Sequence, residues 1–230
     1  MRYTAVVPAR SGSKRLPHKN VKLLSDKPLI VWTLDACIKA EEVDEVILST
    51  DSLDYWEIAN KYLASPKLQL DLRQPKDAGD QVKIFDYLKT KRFNLFGNRT
   101  GAFILALPTV PLRRAHHIDE AISLFQGSGS PVFSATSYGF PISFSFSMTE
   151  FGGWEPLLQD SPMITGNTRS QNQKDFYHPN GAIYIRNIED LSDDNLATLY
   201  SGALPYLMSR EDSVDIDSAI DFKLAEALLS

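Results

Sequence analysis

The sequence predicts an α/β fold, a mostly parallel sheet with helices on both faces. Three observations predict it. Short apolar, β-branched runs alternate with stretches of helical apolar spacing as far as Thr136. The run Ala102-Phe103-Ile104-Leu105-Ala106-Leu107 is apolar throughout, the pattern of a central strand covered on both faces. The first run, Thr4–Val7, leads straight into a small-residue, cationic loop, and ligands of open α/β sheets bind at strand carboxyl ends. At 230 residues the chain is read as a single domain, 1–230, carrying one insertion at 138–170.

The elements follow in order. Thr4–Val7 is the first strand. Ser25-Asp26-Lys27-Pro28 opens a helix, with Asp26 or its neighbour as cap and Pro28 in the first turn. Leu29, Trp32, Thr33, Ala36, Cys37 and Ala40 then recur at helical spacing. Val43–Ser49 is the second strand, and Thr50-Asp51-Ser52 caps a helix through Tyr62. Asp51 stands at a strand end, so it faces the ligand or serves only as a cap. Leu68–Leu72 is a third strand, residues 81–91 a helix, and Ala102–Leu107 the central strand. A helix from His117 to Phe125 and a strand from Val132 to Thr136 continue the alternation, which predicts right-handed crossovers. Residues 138–170 break it. They are rich in aromatics, Ser, Gly and Pro, with Ile142, Phe144 and Phe146 alternating, and read as a hairpin-like insertion. The sheet resumes at Gly181–Ile185. A short strand near Tyr206–Met208 and a helix over Ser218–Leu229 complete the chain.

The loop over residues 8–20 is the strongest chemical signal. Ala9, Ser11, Gly12 and Ser13 let backbone N–H groups approach a ligand. Arg10, Lys14, Arg15, Lys19 and Lys22 add five positive charges before the first acid, Asp26, in a chain of net charge −5. Backbone donors and tethered cations together suit a polyphosphate. The alternative is a solvated basic turn. The loop matches neither G-x-x-x-x-G-K-[ST] nor G-x-G-x-x-G, so it is not a P-loop or a dinucleotide fingerprint.

Composition excludes other classes. The single cysteine, Cys37, permits no internal disulfide and no Cys-based zinc site, and reads as a small apolar residue on a helix. No run reaches the ~18 apolar residues of a membrane span, and no signal-peptide run precedes the loop, so a cytoplasmic protein is expected. An acidic chain lacks the broad basic face of a nucleic-acid binder. His18, His116, His117 and His178 are scattered, and no Ser-His-Asp or Cys-His arrangement is recognisable.

A second candidate lies at Ser213-Val214-Asp215-Ile216-Asp217-Ser218. In an extended segment Asp215 and Asp217 point one way and Ile216 the other. Two hard oxygen donors suit Mg²⁺ bridging to phosphates. Alternatively, Asp217 caps the last helix and Asp215 is surface.

The stretch Pro8-Ala9-Arg10-Ser11-Gly12-Ser13-Lys14…Lys19-Asn20 resembles the nucleotide loop of the N-acylneuraminate cytidylyltransferase (CMP-sialic acid synthetase) family. Arg15-Leu16-Pro17 looks like the related octulosonate-activating enzymes, whose Pro-Leu after the lysine is here Asn20-Val21. Leu107-Pro108-Thr109-Val110-Pro111-Leu112-Arg113 resembles the family's Gln-Pro-Thr-Ser-Pro-Leu-Arg. Arg169-Ser170-Gln171…Tyr177-His178-Pro179-Asn180-Gly181-Ala182-Ile183-Tyr184 resembles its Arg-Arg-Gln…Tyr-x-x-Asn-Gly-Ala-Ile-Tyr, and Asp215-Ile216-Asp217 its metal motif.

The resemblance implies a Rossmann-like core and an insertion that swaps across a homodimer. It implies a transfer of CMP from CTP to the anomeric hydroxyl of an acidic 2-keto sugar, releasing pyrophosphate. Arg10 and Lys19 would neutralise phosphates. Ala9, Ser13, Asn20, Arg73 and Asp80 would complete the nucleotide site. Leu107, Arg169, Gln171, Asn180 and Tyr184 would line the sugar side. Asp215 and Asp217 would hold Mg²⁺, or Mn²⁺, with Asp217 acting as base through the metal. The departures cluster on the sugar side: Leu107 stands for Gln, Ser170 for the second Arg, and the lysine after the family's Pro-Leu pair is replaced near Pro141-Ile142-Ser143. They favour a sugar other than N-acetylneuraminate, and they leave an octulosonate enzyme or a non-catalytic nucleotide-binding protein as rivals.

Overall fold

Strand β1 (Tyr3–Pro8) shows how the core is divided. Ala5 and Val7 face one apolar cluster and Val6 the other, because successive strand side chains point to opposite faces. The computed structural model describes residues 1–13 and 16–229; Lys14 and Arg15 of the cationic loop lie outside the described residues, as does the side chain of Ser170.

After β1, a short hairpin of β2 (Leu23–Leu24) and β3 (Lys27–Pro28) leads into α1 (Leu29–Lys39). Then come β4 (Glu45–Thr50), α2 (Leu53–Leu63) and β5 (Leu68–Leu72). Helices α3 (Ile84–Thr90) and α4 (Arg92–Phe96) precede β6 (Ala102–Leu105), α5 (Ala115–Ser128) and β7 (Val132–Ser137). The inserted region holds the hairpin β8 (Phe146–Met148) and β9 (Trp154–Pro156), and α6 (Pro162–Thr165). The chain continues as β10 (Tyr177–Asn187), β11 (Leu204–Leu207) and α7 (Ala219–Leu229).

Among the described residues the main sheet has the order β11-β7-β10-β6-β1-β4-β5. All its pairings are parallel except those of β10, which runs antiparallel to both β6 and β7. Residues of α1, α2 and α5 pack in one cluster and residues of α3 and α4 in the other, so helices cover both faces as expected. The clusters meet in β6, whose four residues are at most 1% exposed.

Three local expectations are corrected. Asp26 does not cap α1. It sits in the β2–β3 turn, Pro28 takes the N-cap position, and Leu29 N donates to Lys22 O at 3.0 Å. The helix expected over 81–91 begins at Ile84 and is followed directly by α4. The segment at Gly181–Ile185 belongs to a longer strand with a register shift between Pro179 and Tyr184.

The insertion is closed at its base where Ser137 pairs with Tyr177. It presents Phe140, Phe146, Met148 and Phe151 to solvent, Phe151 at 98%. At the other side α7 packs Phe222 and Ala225 against Leu24, Leu29 and Ile216.

Candidate active site

The cationic loop leaves β1 at the carboxyl edge of the sheet and is held from below. Ser11 donates to Asp51 twice, from its N–H at 2.7 Å and its hydroxyl at 2.8 Å. Asp51 follows β4 directly, so the neighbouring strand fixes the loop. It is therefore not the cap of α2, a task done by Ser52, whose hydroxyl accepts from Tyr55 N at 3.4 Å. Buried Asn20 donates from Nδ2 to Arg10 O at 3.0 Å and folds the loop back on itself.

Opposite the loop lies the Asp215-Ile216-Asp217 segment. Ile216 is fully buried and its N–H donates to Thr109 O at 2.8 Å, which pins the segment to the loop after β6. The alternation read from sequence is what the backbone adopts. Asp217 does not cap α7. Ser218 and Asp221 do so reciprocally: Asp221 Oδ2 accepts from Ser218 N at 2.7 Å, and Ser218 Oγ accepts weakly from Asp221 N at 3.5 Å. The hydrogen bonds from Ser218 hold the Asp221 carboxyl below the usual range against its partial burial.

Between loop and segment is a cleft of about 420 Å³. Arg10, Ser13, Lys19, Asn20, Asp80, Leu107 and Asp217, all anticipated from sequence, line it together. Pro8, Leu16, Pro108 and Thr109 line it too, and were not anticipated as site residues. Arg10 and Lys19 each face an acid. Arg10 Nη1 pairs with Asp80 Oδ1, and Lys19 Nζ lies 3.3 Å from Asp217 Oδ1 and donates to Ile216 O at 2.5 Å. Asp215, beside Thr109, has its carboxyl pushed up, first by loss of hydration and then by the charge of Asp217, against the hydrogen bond from Thr109. The two carboxylates therefore feel one another. As hard, mutually repelling oxygen donors next to a phosphate-sized cleft, they fit a divalent cation.

Other anticipated residues are placed away from the cleft. Ala9 is fully buried and its N–H is spent on Ser49 O at 2.9 Å, so it offers no donor to a ligand. Arg73 is 8% exposed; its Nε donates to Ser49 Oγ at 2.8 Å and its guanidinium lies 4.5 Å from the centre of the Tyr87 ring. Burial pushes its pKa down. Asn180 is buried in the bulge of β10. It accepts from Ser134 Oγ at 2.5 Å and Ala182 N at 3.1 Å and donates to Ser213 Oγ at 2.8 Å. It thereby braces Gly181, whose φ of +77° is a backbone conformation that strains any other residue. Tyr184 is nearly buried and its hydroxyl meets that of Tyr200 at 3.0 Å. Arg169 and Gln171 are exposed on the inserted region.

Three residues that build the site were legible only in part. Asp51 was read as ligand or cap, not as the clamp on Ser11. Ser218 and Asp221 form an S-x-x-D pattern, which signals a capping box.

A parallel-majority sheet with a cationic loop and a carboxylate pair beside one cleft defines a Rossmann-like α/β protein with a site suited to phosphates. Comparison with known proteins names the family. The family model described as cytidylyltransferase matches residues 4–187, and the chain belongs to that family. It is 34% identical over 226 residues to an N-acylneuraminate cytidylyltransferase of Escherichia coli O18:K1:H7, covering 96% of this chain and 50% of that one. It is 32% identical to the CMP-N,N'-diacetyllegionaminic acid synthase of Legionella pneumophila, covering 100% of this chain and 97% of that one. The chain thus spans about half the length of the first relative. In fold it is similar to a CMP:2-keto-3-deoxy-manno-octonic acid synthetase solved with CTP, with a TM-score of 0.69, 16% identity, and coverage of 100% and 98% of the two chains. No helix among the described residues is long and apolar enough to cross a membrane.

Proposed function

We propose that the chain transfers CMP from CTP to the anomeric hydroxyl of an acidic 2-keto sugar of the nonulosonate class, with release of pyrophosphate. The observation that carries this reading is the meeting of Arg10 and Lys19 with Asp217 across one cleft, in a chain of the cytidylyltransferase family. The near full-length match to a legionaminic acid synthase supports the nonulosonate class.

Arg10 and Lys19 exchange their acid partners for phosphate oxygens, and Ser13 with the loop backbone orients the triphosphate. Buried Asn20 carries an Oδ1 without a partner among the described residues, an acceptor suited to a hydroxyl of the nucleotide. Asp80 stands on the same wall. The sugar hydroxyl attacks the α-phosphorus and pyrophosphate leaves in line, a reaction that depends on positioning and charge stabilisation. Asp215 and Asp217 would hold Mg²⁺, for which Mn²⁺ can substitute; when bound, the ion supplies neutralisation of phosphate charge. Arg73 and Asn180 serve the site from beneath, through Ser49 and Gly181, and Ala9 does so through Ser49. Tyr184, Arg169, Gln171 and Leu107 make up the sugar side.

The aromatic face of the inserted region is the contact of a homodimer, because apolar surface of this kind is usually covered. The protein works in the cytoplasm, where CTP is available. Its sugar is not N-acetylneuraminate in the first instance, since Leu107 cannot make the hydrogen bonds of a glutamine. Pyrophosphate release from CTP, measured with N-acetylneuraminate, legionaminate, pseudaminate and octulosonate derivatives, tests the whole reading. Release with one nonulosonate is expected. Release with none of the sugars, while CTP still binds, overturns it.

A further inference from the structure

Asp217 follows a peptide group that is gripped at both of its polar ends. Ile216 is fixed first: its side chain is buried in the cluster with Leu24, Leu29 and Phe222, and its N–H donates to Thr109 O at 2.8 Å. Rotation of the next peptide, between Ile216 and Asp217, sets the direction in which the Asp217 side chain leaves the chain. That unit is planar and trans, so its carbonyl and its N–H point opposite ways. On one side Lys19 Nζ donates to Ile216 O at 2.5 Å. On the other the Asp217 N–H donates to Asp221 Oδ2 at 3.1 Å. The peptide cannot turn without breaking both bonds.

The two grips differ in permanence. Lys19 lines the cleft and also lies 3.3 Å from Asp217 Oδ1, so a phosphate entering the cleft competes for its ammonium. Asp221 stands in the first turn of α7, where a carboxylate is favoured by the helix dipole. Its neighbour Phe222 is buried on Leu24 and Leu29, which anchors that turn. Asp221 Oδ2 collects three donors: the N–H of Asp217 at 3.1 Å, and the N–H and hydroxyl of Ser218 at 2.7 Å each. The bonds with Ser218 make the cap. A capping box has no call for the bond to the residue before it. Asp215 takes its hydrogen bond from Thr109 and does not share this grip.

We infer that Asp221 is a positioning residue for the metal site: it keeps the Asp217 carboxylate aimed into the cleft when the nucleotide draws Lys19 away, and touches neither substrate nor ion itself. The inference rests on the reading of Asp217 as a ligand of the divalent cation. It separates two tasks at the start of α7. Ser218 serves the helix, and Asp221 serves both the helix and the cleft.

The probe is Mn²⁺, titrated into the full chain with saturating CTP and no sugar, and read by the relaxation of water protons. Asp221→Ala is expected to raise the Kd of Mn²⁺ about tenfold or more, the usual size for losing a group that orients a metal ligand. Ser218→Ala leaves both backbone bonds to Asp221 in place, so it should lower the melting temperature yet keep the parent Kd. Asp221→Asn retains an acceptor oxygen and should bring the Kd back to within about threefold of the parent. In turnover at limiting Mg²⁺, kcat of Asp221→Ala should fall about tenfold and recover at high Mn²⁺, with KM for CTP moved by less than about twofold. Should Asp221→Ala not fold, Asp221→Ser, whose shorter side chain also gives up the bond to Asp217, takes its place. With Mn²⁺ binding weakened in Asp217→Asn, a parent Kd in Asp221→Ala, or an equal rise in Ser218→Ala, overturns the proposal alone. A parent Kd in Asp217→Asn overturns the reading of Asp217 as a ligand, and the proposal with it.

Discussion

The loop side and the insertion side of the molecule are built to different standards of rigidity. On the loop side the described groups are tied down by hydrogen bonds: Ser11 to Asp51 just after β4, Asn20 to Arg10 O within the loop, Ile216 to Thr109 O just after β6. On the insertion side Arg169 and Gln171 are exposed, in a region closed at its base by the Ser137–Tyr177 pairing and the bond from Tyr138 N to Phe176 O. Under the proposed function, the phosphate contacts are tied to the fold itself, while Arg169 and Gln171 are carried by an appendage. The departures from the family pattern are split: Ser170 falls on the inserted region, whereas Leu107 lines the cleft beside the loop.

The largest expected effect breaks the loop side. Asp215→Asn and Asp217→Asn should each lower kcat by ~10²–10³-fold, the size of losing one preorganised electrostatic contact. High Mg²⁺ or Mn²⁺ should rescue part of it. The melting temperature should not fall, because Ser218 and Asp221 make the cap. Ser218→Ala should do the reverse, keeping kcat and costing about 1 kcal/mol of stability. Steady-state rates and melting curves of the three variants decide the matter; parent rates in both aspartate variants would make those residues structural.

Loosening the loop comes next. Asp51→Ala removes both acceptors of Ser11, so KM for CTP should rise roughly tenfold, as for a lost charge-assisted pair of hydrogen bonds. KM for the sugar should hold. Equal rises in both would show that Asp51 serves the fold generally. Within the cleft, Leu107→Gln should raise kcat/KM for N-acetylneuraminate by about tenfold, as a regained polar contact would. KM for CTP should stay constant. A gain shared by every sugar would mean that Leu107 does not choose among them.

The smallest effect is on stability. The Asp215 carboxyl is pushed up in the folded chain by lost hydration and by Asp217. A raised acid contributes stability below its unfolded pKa and loses it as pH rises through the folded value. In chelator at pH 7, Asp215→Asn should therefore melt slightly higher than the parent. The difference should vanish as pH falls below the ordinary carboxylate range. A lower melting temperature at pH 7 would mean that Asp215 holds a favourable contact.

Much of this was legible in the sequence, for a definable reason. β1 and β6 announce themselves because burial on both faces demands unbroken apolar runs. Arg10 announces itself because a charge beside small residues at a strand end has few structural uses, whereas the residues alone left Asp217 open between ligand and helix cap. The direction of β10 was not legible, since an apolar run carries no sign of parallel or antiparallel pairing. Nor was the burial of Asn180, whose partners Ser134 and Ser213 lie 46 and 33 residues away. Asp26 misled because an acid before proline reads equally as a helix cap and as a hairpin turn.

The contact between Lys19 and Asp217 spans 198 residues of chain. During synthesis at ~5–20 residues per second, roughly 10–40 s pass between the making of the lysine and the making of its acid. By then the seven sheet strands have all left the ribosome's active centre, since β11 ends at Leu207. A nascent chain can therefore assemble its scaffold and its phosphate loop while it still lacks the carboxylates. The Asp215-Ile216-Asp217 segment reaches the cleft as a separate and later event, when Ile216 docks on Leu24 and Leu29. Until then Lys19 stands without Asp217, while Arg10 already has Asp80.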